Sequence, residues 1–157
     1  MTGLQLTSYT FPSGGEIPRK CGYKDENVSP SLNIDGIPDG TRTFALIMDD
    51  PDAMEPAGKI WVHWVLWNIN HDTTDLSESL DVQRAYRMDT MGFGMTDFGE
   101  VGYGGPAPPD KRHTYVFKLY ALDSKLVLTT ESTKADVEKA MEGHIIEQTQ
   151  LTGTYAP

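Results

Sequence analysis

Three continuous apolar runs, each bounded by turn-forming residues, constrain the fold of this chain more than any other feature. The first runs from Phe44 to Met48, the second from Ile60 to Ile69 and the third from Tyr115 to Leu122. All three are short and rich in β-branched and aromatic residues, which is typical of strands. Because both faces of each run are largely apolar, we predict a mostly β protein whose central strands are covered on both sides.

The second run carries a histidine among three tryptophans. Alternate residues of a strand point to the same face. We therefore predict two faces on this strand, one formed by Trp61, His63, Val65 and Trp67 and the other by Val62, Trp64 and Leu66.

The clearest helical pattern lies near the C-terminus. Apolar residues recur at near-helical spacing from Lys134 to Gln150, which predicts a helix over this segment. Thr133 fits its N-cap, with Asp136 as a capping-box partner. Gly143 weakens the middle and is a place where the helix could end or kink. Shorter strands are predicted at 5–9 and 28–33, and the Gly-rich stretch 70–112 is predicted to form long, ordered, functional loops.

Length and charge limit the classes of function. The chain has 157 residues, which predicts a single domain over 1–157. Its net charge of −10 opposes nucleic acid and anionic membranes as partners. No apolar run approaches the roughly 20 residues that span a bilayer, so stable membrane insertion is not expected. No secretory signal is visible, which favours a cytoplasmic location. A single cysteine, Cys21, excludes an intrachain disulfide.

Three residues far apart in the chain are candidates for chemistry: Asp50, His63 and His113. Asp50 follows the first apolar run, where acids sit at a sheet edge, although it could equally satisfy turn amides. His63 could be a core residue with a satisfied hydrogen bond, but His113 opens a strand after a Gly/Pro-rich loop. Two imidazoles can bind an anion if they present N–H groups, with the carboxylate orienting one of them.

Glycine residues beside this trio would let a ligand oxygen approach main-chain N–H groups closely. Two histidines and a carboxylate are also a set that binds catalytic zinc, but the spacing contains no zinc motif. We therefore expect no metal and no cofactor. His71 and His144 are expected to be solvated.

Two signatures resemble the phosphatidylethanolamine-binding protein family, in particular its bacterial and archaeal Raf-kinase-inhibitor-like branch. The first combines Phe44-Ala45-Leu46-Ile47-Met48-Asp49-Asp50-Pro51-Asp52-Ala53 with Trp61-Val62-His63-Trp64; the second combines Tyr103-Gly104-Gly105-Pro106-Ala107-Pro108-Pro109 with His113-Thr114-Tyr115. The resemblance runs from about residue 5 to residue 155.

The resemblance implies a large central antiparallel sheet packed on a smaller sheet, with a few peripheral helices, one of them near the C-terminus. It also implies a small cavity for phosphate, phosphoethanolamine-like headgroups or acetate, and it favours a homodimer. The cavity residues implied are Asp50, Asp52, His63, Gly105, Pro106, Ala107, Pro108, His113 and Tyr115, with Asp52 bracing the loop. Three residues depart from the family pattern: Met54 replaces proline, Ala107 replaces cysteine and Thr114 replaces arginine.

Three functions are compatible with these residues. The first is a non-enzymatic anion-binding protein, which is the function we predict. The second is a phosphoester or ester hydrolase that uses His63 or His113 as a general base, although no nucleophile motif accompanies them. The third is an inhibitor or scaffold that modulates a kinase or protease through its surface.

Overall fold

The computed structural model describes residues 3–80 and 91–157, and within them it contains two antiparallel sheets. The strands are β1 (Gln5–Thr7), β2 (Leu32–Asp35), β3 (Thr43–Asp50), β4 (Trp61–Asn70), β5 (Asp75–Leu76), β6 (Gly92–Phe93), β7 (His113–Leu122) and β8 (Ile145–Tyr155). The smaller sheet has the order β1-β2-β5 and the larger one the order β6-β4-β3-β7-β8. The predicted mostly β fold, with a large central sheet and a smaller one, is confirmed.

Helical structure in the described part of the chain is short. The described residues contain two α-helices, α1 (Met54–Ala57) and α2 (Lys134–Met141), and two 3-10 turns, at Arg19–Cys21 and Pro51–Ala53. Neither helix is long and apolar enough to cross a membrane. The central segment of the predicted loop region, 81–90, lies outside the described residues.

Strand β3 forms the centre of the molecule, and all eight of its residues are buried. On one face, Phe44, Leu46 and Met48 join residues of the smaller sheet in the main core. On the other face, Ala45 and Ile47 pack in a second core that includes Val137 and Met141 of α2. The continuous apolar run of β3 therefore reflects burial on both sides of the large sheet.

The predicted faces of β4 are wrong in detail because the strand contains an irregularity. The pairing between β3 and β4 shifts register between Met48 and Asp49, which lie opposite Trp64 and Val62, so His63 is the extra residue. Val62 consequently shares the second core with Val65, whereas Trp64 lies in the main core. A β-bulge of this kind re-aims side chains, and here it separates His63 from the face of Val65.

The predicted C-terminal helix is correct for its first half only. The capping box of Thr133 and Asp136 is present in both directions, and α2 ends at Met141. Gly143 then adopts φ 79°, a left-handed conformation that glycine tolerates. The rest of the predicted helix is β8, which pairs with β7 from His113 to Leu122. Ile145 and Ile146, which suggested helical spacing, are both exposed.

Candidate functional site

Three strand ends meet at one edge of the large sheet. Asp50 is the last residue of β3 and pairs with Trp61, the first residue of β4. His113 is the first residue of β7, which is also antiparallel to β3. Because both neighbours of β3 begin where β3 ends, residues more than sixty positions apart in sequence come together at this edge.

A cavity of about 180 Å³ opens at this edge. Most of its wall is apolar, and the polar side chains that reach it come from β3, β4 and β7. Its lining residues are Asp50, Ala53, Pro56, Ala57, Trp61, His63, Phe98, Ala107, Pro108, Pro109, His113 and Tyr115. Apolar walls with a few convergent polar groups are typical of small-molecule sites.

His113 lies between two carboxylates. Its Nδ1 is 2.6 Å from Oδ2 of Asp50, and its Nε2 is 2.7 Å from Oδ1 of Asp110. Burial lowers the pKa of His113, but the hydrogen bonds and charges of the two carboxylates outweigh that effect and raise the pKa overall. The pKa of Asp50 is raised by burial, against the opposing effect of His113. His113 therefore favours its charged form.

His63 is held in the opposite protonation state. Its Nδ1 lies 2.7 Å from the carbonyl oxygen of Gly104, and its side chain is almost fully buried. Burial lowers the pKa of His63 to about 4, although nearby carbonyl groups partly oppose the shift. A carbonyl oxygen only accepts, so Nδ1 must carry the proton. At neutral pH the remaining nitrogen, Nε2, therefore carries a lone pair and acts as an acceptor.

Two donors in the cavity wall lack a well-formed hydrogen bond among the described residues. The hydroxyl of Tyr115 and Nε1 of Trp61 are both buried and make no hydrogen bond of good geometry there, and the hydroxyl has only weak interactions with Asp50 and the backbone of Ala107. Burial raises the pKa of Tyr115 well above its usual value, and the charge of Asp50 and a weak hydrogen-bond interaction with its carboxylate add to this effect, so the hydroxyl keeps its proton. Buried polar groups are nearly always paired, and an unpaired one at a cavity is a marker for a ligand or an ordered water.

Six of the nine residues predicted to form the site lie at the cavity: Asp50, His63, Ala107, Pro108, His113 and Tyr115. The other three do not line it. Asp52 donates its N–H to Asp50 and accepts from the N–H of Thr114, at 2.9 Å each, and so ties the end of β3 to the start of β7.

Gly105 and Pro106 do not line the cavity but hold the Gly/Pro-rich loop in place through contacts with residues 21–27. The N–H of Gly105 donates to Oδ1 of Asn27 at 2.8 Å. A Cβ at Gly105 would lie 1.9 Å from the carbonyl oxygen of Cys21, so a glycine is needed for this contact within the protein. Pro106 accepts from the N–H of Tyr23.

The three residues that depart from the family pattern lie in different positions relative to the cavity. Met54 is exposed in α1, the short helix that follows the cavity residue Ala53. Ala107 is part of the cavity wall. The backbone N–H of Thr114 donates a hydrogen bond to the carboxylate of Asp52.

Sequence reasoning missed Asp110 and Phe98. Asp110 precedes His113 by three residues, a spacing that could have suggested contact across a turn. Phe98 forms a cavity wall and lies edge-on to His63, with ring centroids 5.4 Å apart. No signal in the sequence distinguished Phe98 from other loop aromatics.

The remaining histidines lie away from the cavity. Nδ1 of His144 is 2.8 Å from a carboxylate oxygen of Asp123, and His71 is exposed. Within residues 3–80 and 91–157, no cluster of three or more His, Cys, Asp or Glu side chains is arranged to hold a metal ion.

Comparison with known proteins gives a consistent result. The family model described as phosphatidylethanolamine-binding protein matches residues 7–156. A UPF0098 protein of Methanothermobacter thermautotrophicus is 43% identical, over 97% of this chain and 98% of the relative. A UPF0098 protein of Chlamydia muridarum is 36% identical over 97% of this chain and 98% of its own length.

Solved structures agree. The phosphatidylethanolamine-binding protein homolog CT736 of Chlamydia trachomatis superposes with a TM-score of 0.89 at 34% identity, covering 99% of this chain and 98% of the other. YbcL of Escherichia coli, described as a member of the mammalian family, superposes with a TM-score of 0.88 at 32% identity, covering 97% of both chains.

Proposed function

Because this chain belongs to the phosphatidylethanolamine-binding protein family and its cavity contains unpaired polar groups, we propose that it is a non-enzymatic binding protein for a small oxyanion. The candidate ligands are phosphate, a phosphoryl headgroup such as phosphoethanolamine, and a carboxylate such as acetate. The binding site is the cavity at the shared ends of β3, β4 and β7.

The observation that carries this proposal is the poorly satisfied hydroxyl of Tyr115. The residue is fully buried and lines the cavity, and its hydroxyl makes no hydrogen bond of good geometry with a described residue, only a weak interaction with Asp50 and the backbone of Ala107. Leaving such a group unpaired costs about 1–3 kcal/mol. An oxyanion that accepts from Tyr115 recovers this cost on binding.

Other groups add to the fit for an oxyanion. The imidazolium of His113 supplies a positive charge in the wall, and Trp61 supplies a further N–H. The volume of about 180 Å³ admits a phosphoryl group or a short carboxylic acid and excludes a large ligand. The mostly apolar wall strengthens each polar contact by excluding water.

Replacing Tyr115 by phenylalanine tests the proposal. A hydrogen bond to a charged ligand is worth about 1.5–3 kcal/mol, so Tyr115→Phe should weaken phosphate binding by about 10-fold to 100-fold in titration calorimetry. Because the hydroxyl makes no hydrogen bond of good geometry with a described residue, the variant should unfold at nearly the same urea concentration as the wild type.

Tyr103→Phe is the matched control. The hydroxyl of Tyr103 donates to the carbonyl oxygen of Cys21 at 2.9 Å, so its loss should destabilise the fold and leave phosphate affinity unchanged. Phosphate affinity that is equal in wild type and Tyr115→Phe would contradict the proposal.

The hydrolase alternative finds less support in this geometry. No serine, threonine or cysteine is present among the described residues that line the cavity. His63 is a weak base because burial lowers its pKa to about 4, and both nitrogens of His113 are already bonded to carboxylates. An esterase and phosphodiesterase screen of wild type against His63→Ala tests this alternative, and turnover that the variant loses would favour it.

Protein partners and self-association stay predictions. Met54, Ile60 and the partly exposed Trp61 expose apolar surface near the cavity. Modulation of a kinase or protease is testable by affinity capture from the native cell. The predicted homodimer is testable by analytical ultracentrifugation.

A further inference from the structure

The cavity wall contains hydrogen-bond acceptors as well as donors, and this combination limits which oxyanions can bind. Building on the proposed function, we propose that the cavity prefers oxyanions that still carry a proton, such as an acid phosphate monoester, over those without one, such as a sulfate monoester. Asp50 and His63 are the acceptors that make this distinction.

His63 is a fixed acceptor because of its backbone contact. The carbonyl oxygen of Gly104, 2.7 Å from Nδ1, requires the proton on that nitrogen, so the neutral ring offers a lone pair at Nε2. Protonation of Nε2 would place a charge in a nearly fully buried position. Asp49 and Asp97 favour such a charge, but burial has the larger effect. A bare oxyanion oxygen facing this lone pair is repelled, whereas a P–OH group donates to it.

Asp50 is the second acceptor. Its Oδ1 accepts from the N–H of Asp52 at 2.9 Å, and its Oδ2 lies 2.6 Å from Nδ1 of His113. A carboxylate has about four lone-pair sites, so at least one stays available beside the weak interaction with Tyr115, and the side chain lines the cavity. A ligand hydroxyl can donate to that lone pair, whereas a ligand oxygen without a hydrogen cannot.

The local charge balance points in the same direction. The imidazolium of His113 is flanked by the carboxylates of Asp50 and Asp110, and Asp52 lies beside Asp50. Lysine and arginine are absent from the described residues that line the cavity. The nearby Lys111 is paired with Glu55 at 3.1 Å. Acids therefore outnumber cations around the cavity, and each unit of ligand charge without a compensating hydrogen bond is costly.

A pair of isosteric monoanions isolates the effect of the proton. At pH 5 methyl phosphate is mainly a monoanion that carries a P–OH group, because its second pKa is about 6. Methyl sulfate has the same charge and a similar shape but no proton to donate. We expect titration calorimetry of the wild-type protein to give at least about tenfold tighter binding of methyl phosphate, the range for one hydrogen bond to a charged group.

The outcomes separate this inference from the proposed function. Equal binding of the two ligands, or tighter binding of methyl sulfate, would overturn the inference and leave the proposed anion site in place. Binding of neither ligand, nor of phosphate or acetate, would overturn the proposed function together with the inference.

A variant locates the selection at Asp50. In Asp50→Asn the acceptor becomes an amide that can also donate, so the preference for methyl phosphate should narrow towards unity, mainly through gain of methyl sulfate binding. Asp75→Asn removes one exposed carboxylate from β5 and should leave the preference unchanged. Circular dichroism establishes that each variant is folded. An Asp50→Asn variant that keeps the full wild-type preference would contradict the role of Asp50.

Discussion

Acidification should destabilise this protein through His63 by an amount that follows from the structure. The pKa of His63 is about 4 in the folded state, against an ordinary value of 6.5. Between these values the unfolded chain binds a proton that the folded protein does not, so stability rises with pH across the window and falls on acidification. The full shift of about 2.5 units corresponds to about 3 kcal/mol.

Urea unfolding of the wild type and of His63→Gln at pH 7 and pH 4.5 measures this effect. Other groups titrate in both proteins and cancel in the difference. The wild type should lose about 2.5 kcal/mol more than the variant between the two pH values. His71→Gln, a change at an exposed histidine, should follow the wild type.

Parallel pH profiles for the wild type and His63→Gln would refute the reasoning. Such a result would mean that His63 is protonated in the folded protein near its ordinary pKa. The argument that Nε2 is an acceptor would then fail as well. The same measurement therefore bears on the selectivity proposed for the cavity.

Three further changes test other parts of the structure. Asp110→Asn removes a carboxylate that favours the charged ring of His113, so the pKa of His113 should fall, as measured by NMR titration of the ring protons. Gly105→Ala places a Cβ 1.9 Å from the carbonyl oxygen of Cys21, and the forced shift should cost about 1–3 kcal/mol in urea unfolding. Asp49 is buried and bonded to two lysine ammonium groups at 3.0 and 2.9 Å, so Asp49→Asn should cost about 2–3 kcal/mol by leaving them without a counter-charge.

Matched controls accompany these three variants. Asp75→Asn should leave the pKa of His113 unchanged. Gly143→Ala meets no atom within 4 Å but has φ 79°, so backbone strain alone should cost about 1 kcal/mol. Asp39→Asn changes an exposed acid and should have no measurable effect on stability. A Gly105→Ala protein as stable as the wild type would mean that the loop moves away from Cys21 freely.

The central strands were predictable because their burial is symmetric. The runs from Phe44 to Met48 and from Ile60 to Ile69 are apolar on both faces. The first lies inside β3, and the second lies inside β4 except for Ile60, which precedes the strand. The orientation of His63 was not predictable, because a bulge in β4 depends on its pairing with β3 and leaves no mark in the sequence of β4 alone. Tertiary pairing therefore decided which way this side chain points.

The prediction that the C-terminal helix continues beyond Met141 was wrong, again because tertiary pairing decided the structure. Ile145 and Ile146 match a helical apolar pattern, yet they lie exposed at the start of β8. The partner of β8 is β7, more than twenty residues earlier in the chain, and a local pattern cannot detect it. Gly143 was the local indication that the helix stops, and it adopts a left-handed conformation two residues after the last helical residue, Met141.

Some features of the candidate site were also predictable from the local sequence, whereas others depend on residues that are distant in the chain. Asp50 and His113 could be named because each stands at the end of an apolar run, and the geometry of an antiparallel sheet brings such ends together. Asp110 and His113 are only three residues apart in sequence, so their contact is local. Its effect on the charge of His113 depends on Asp50, which is distant in sequence and binds the other ring nitrogen.

The protonation pattern also accounts for how an acidic protein can hold an anion. A net charge of −10 repels anions at long range, but at physiological salt that repulsion is screened beyond about 8 Å. Within the cavity, the affinity for a ligand depends on local groups. The acceptors at Asp50 and His63 repel a ligand oxygen that carries no hydrogen, but they accept a hydrogen bond from a ligand hydroxyl. A ligand that brings its own proton turns both acceptors into partners while Tyr115 and His113 still face its charge. Selection by protonation therefore follows from placing two acceptors and a positive charge in the wall of one small cavity.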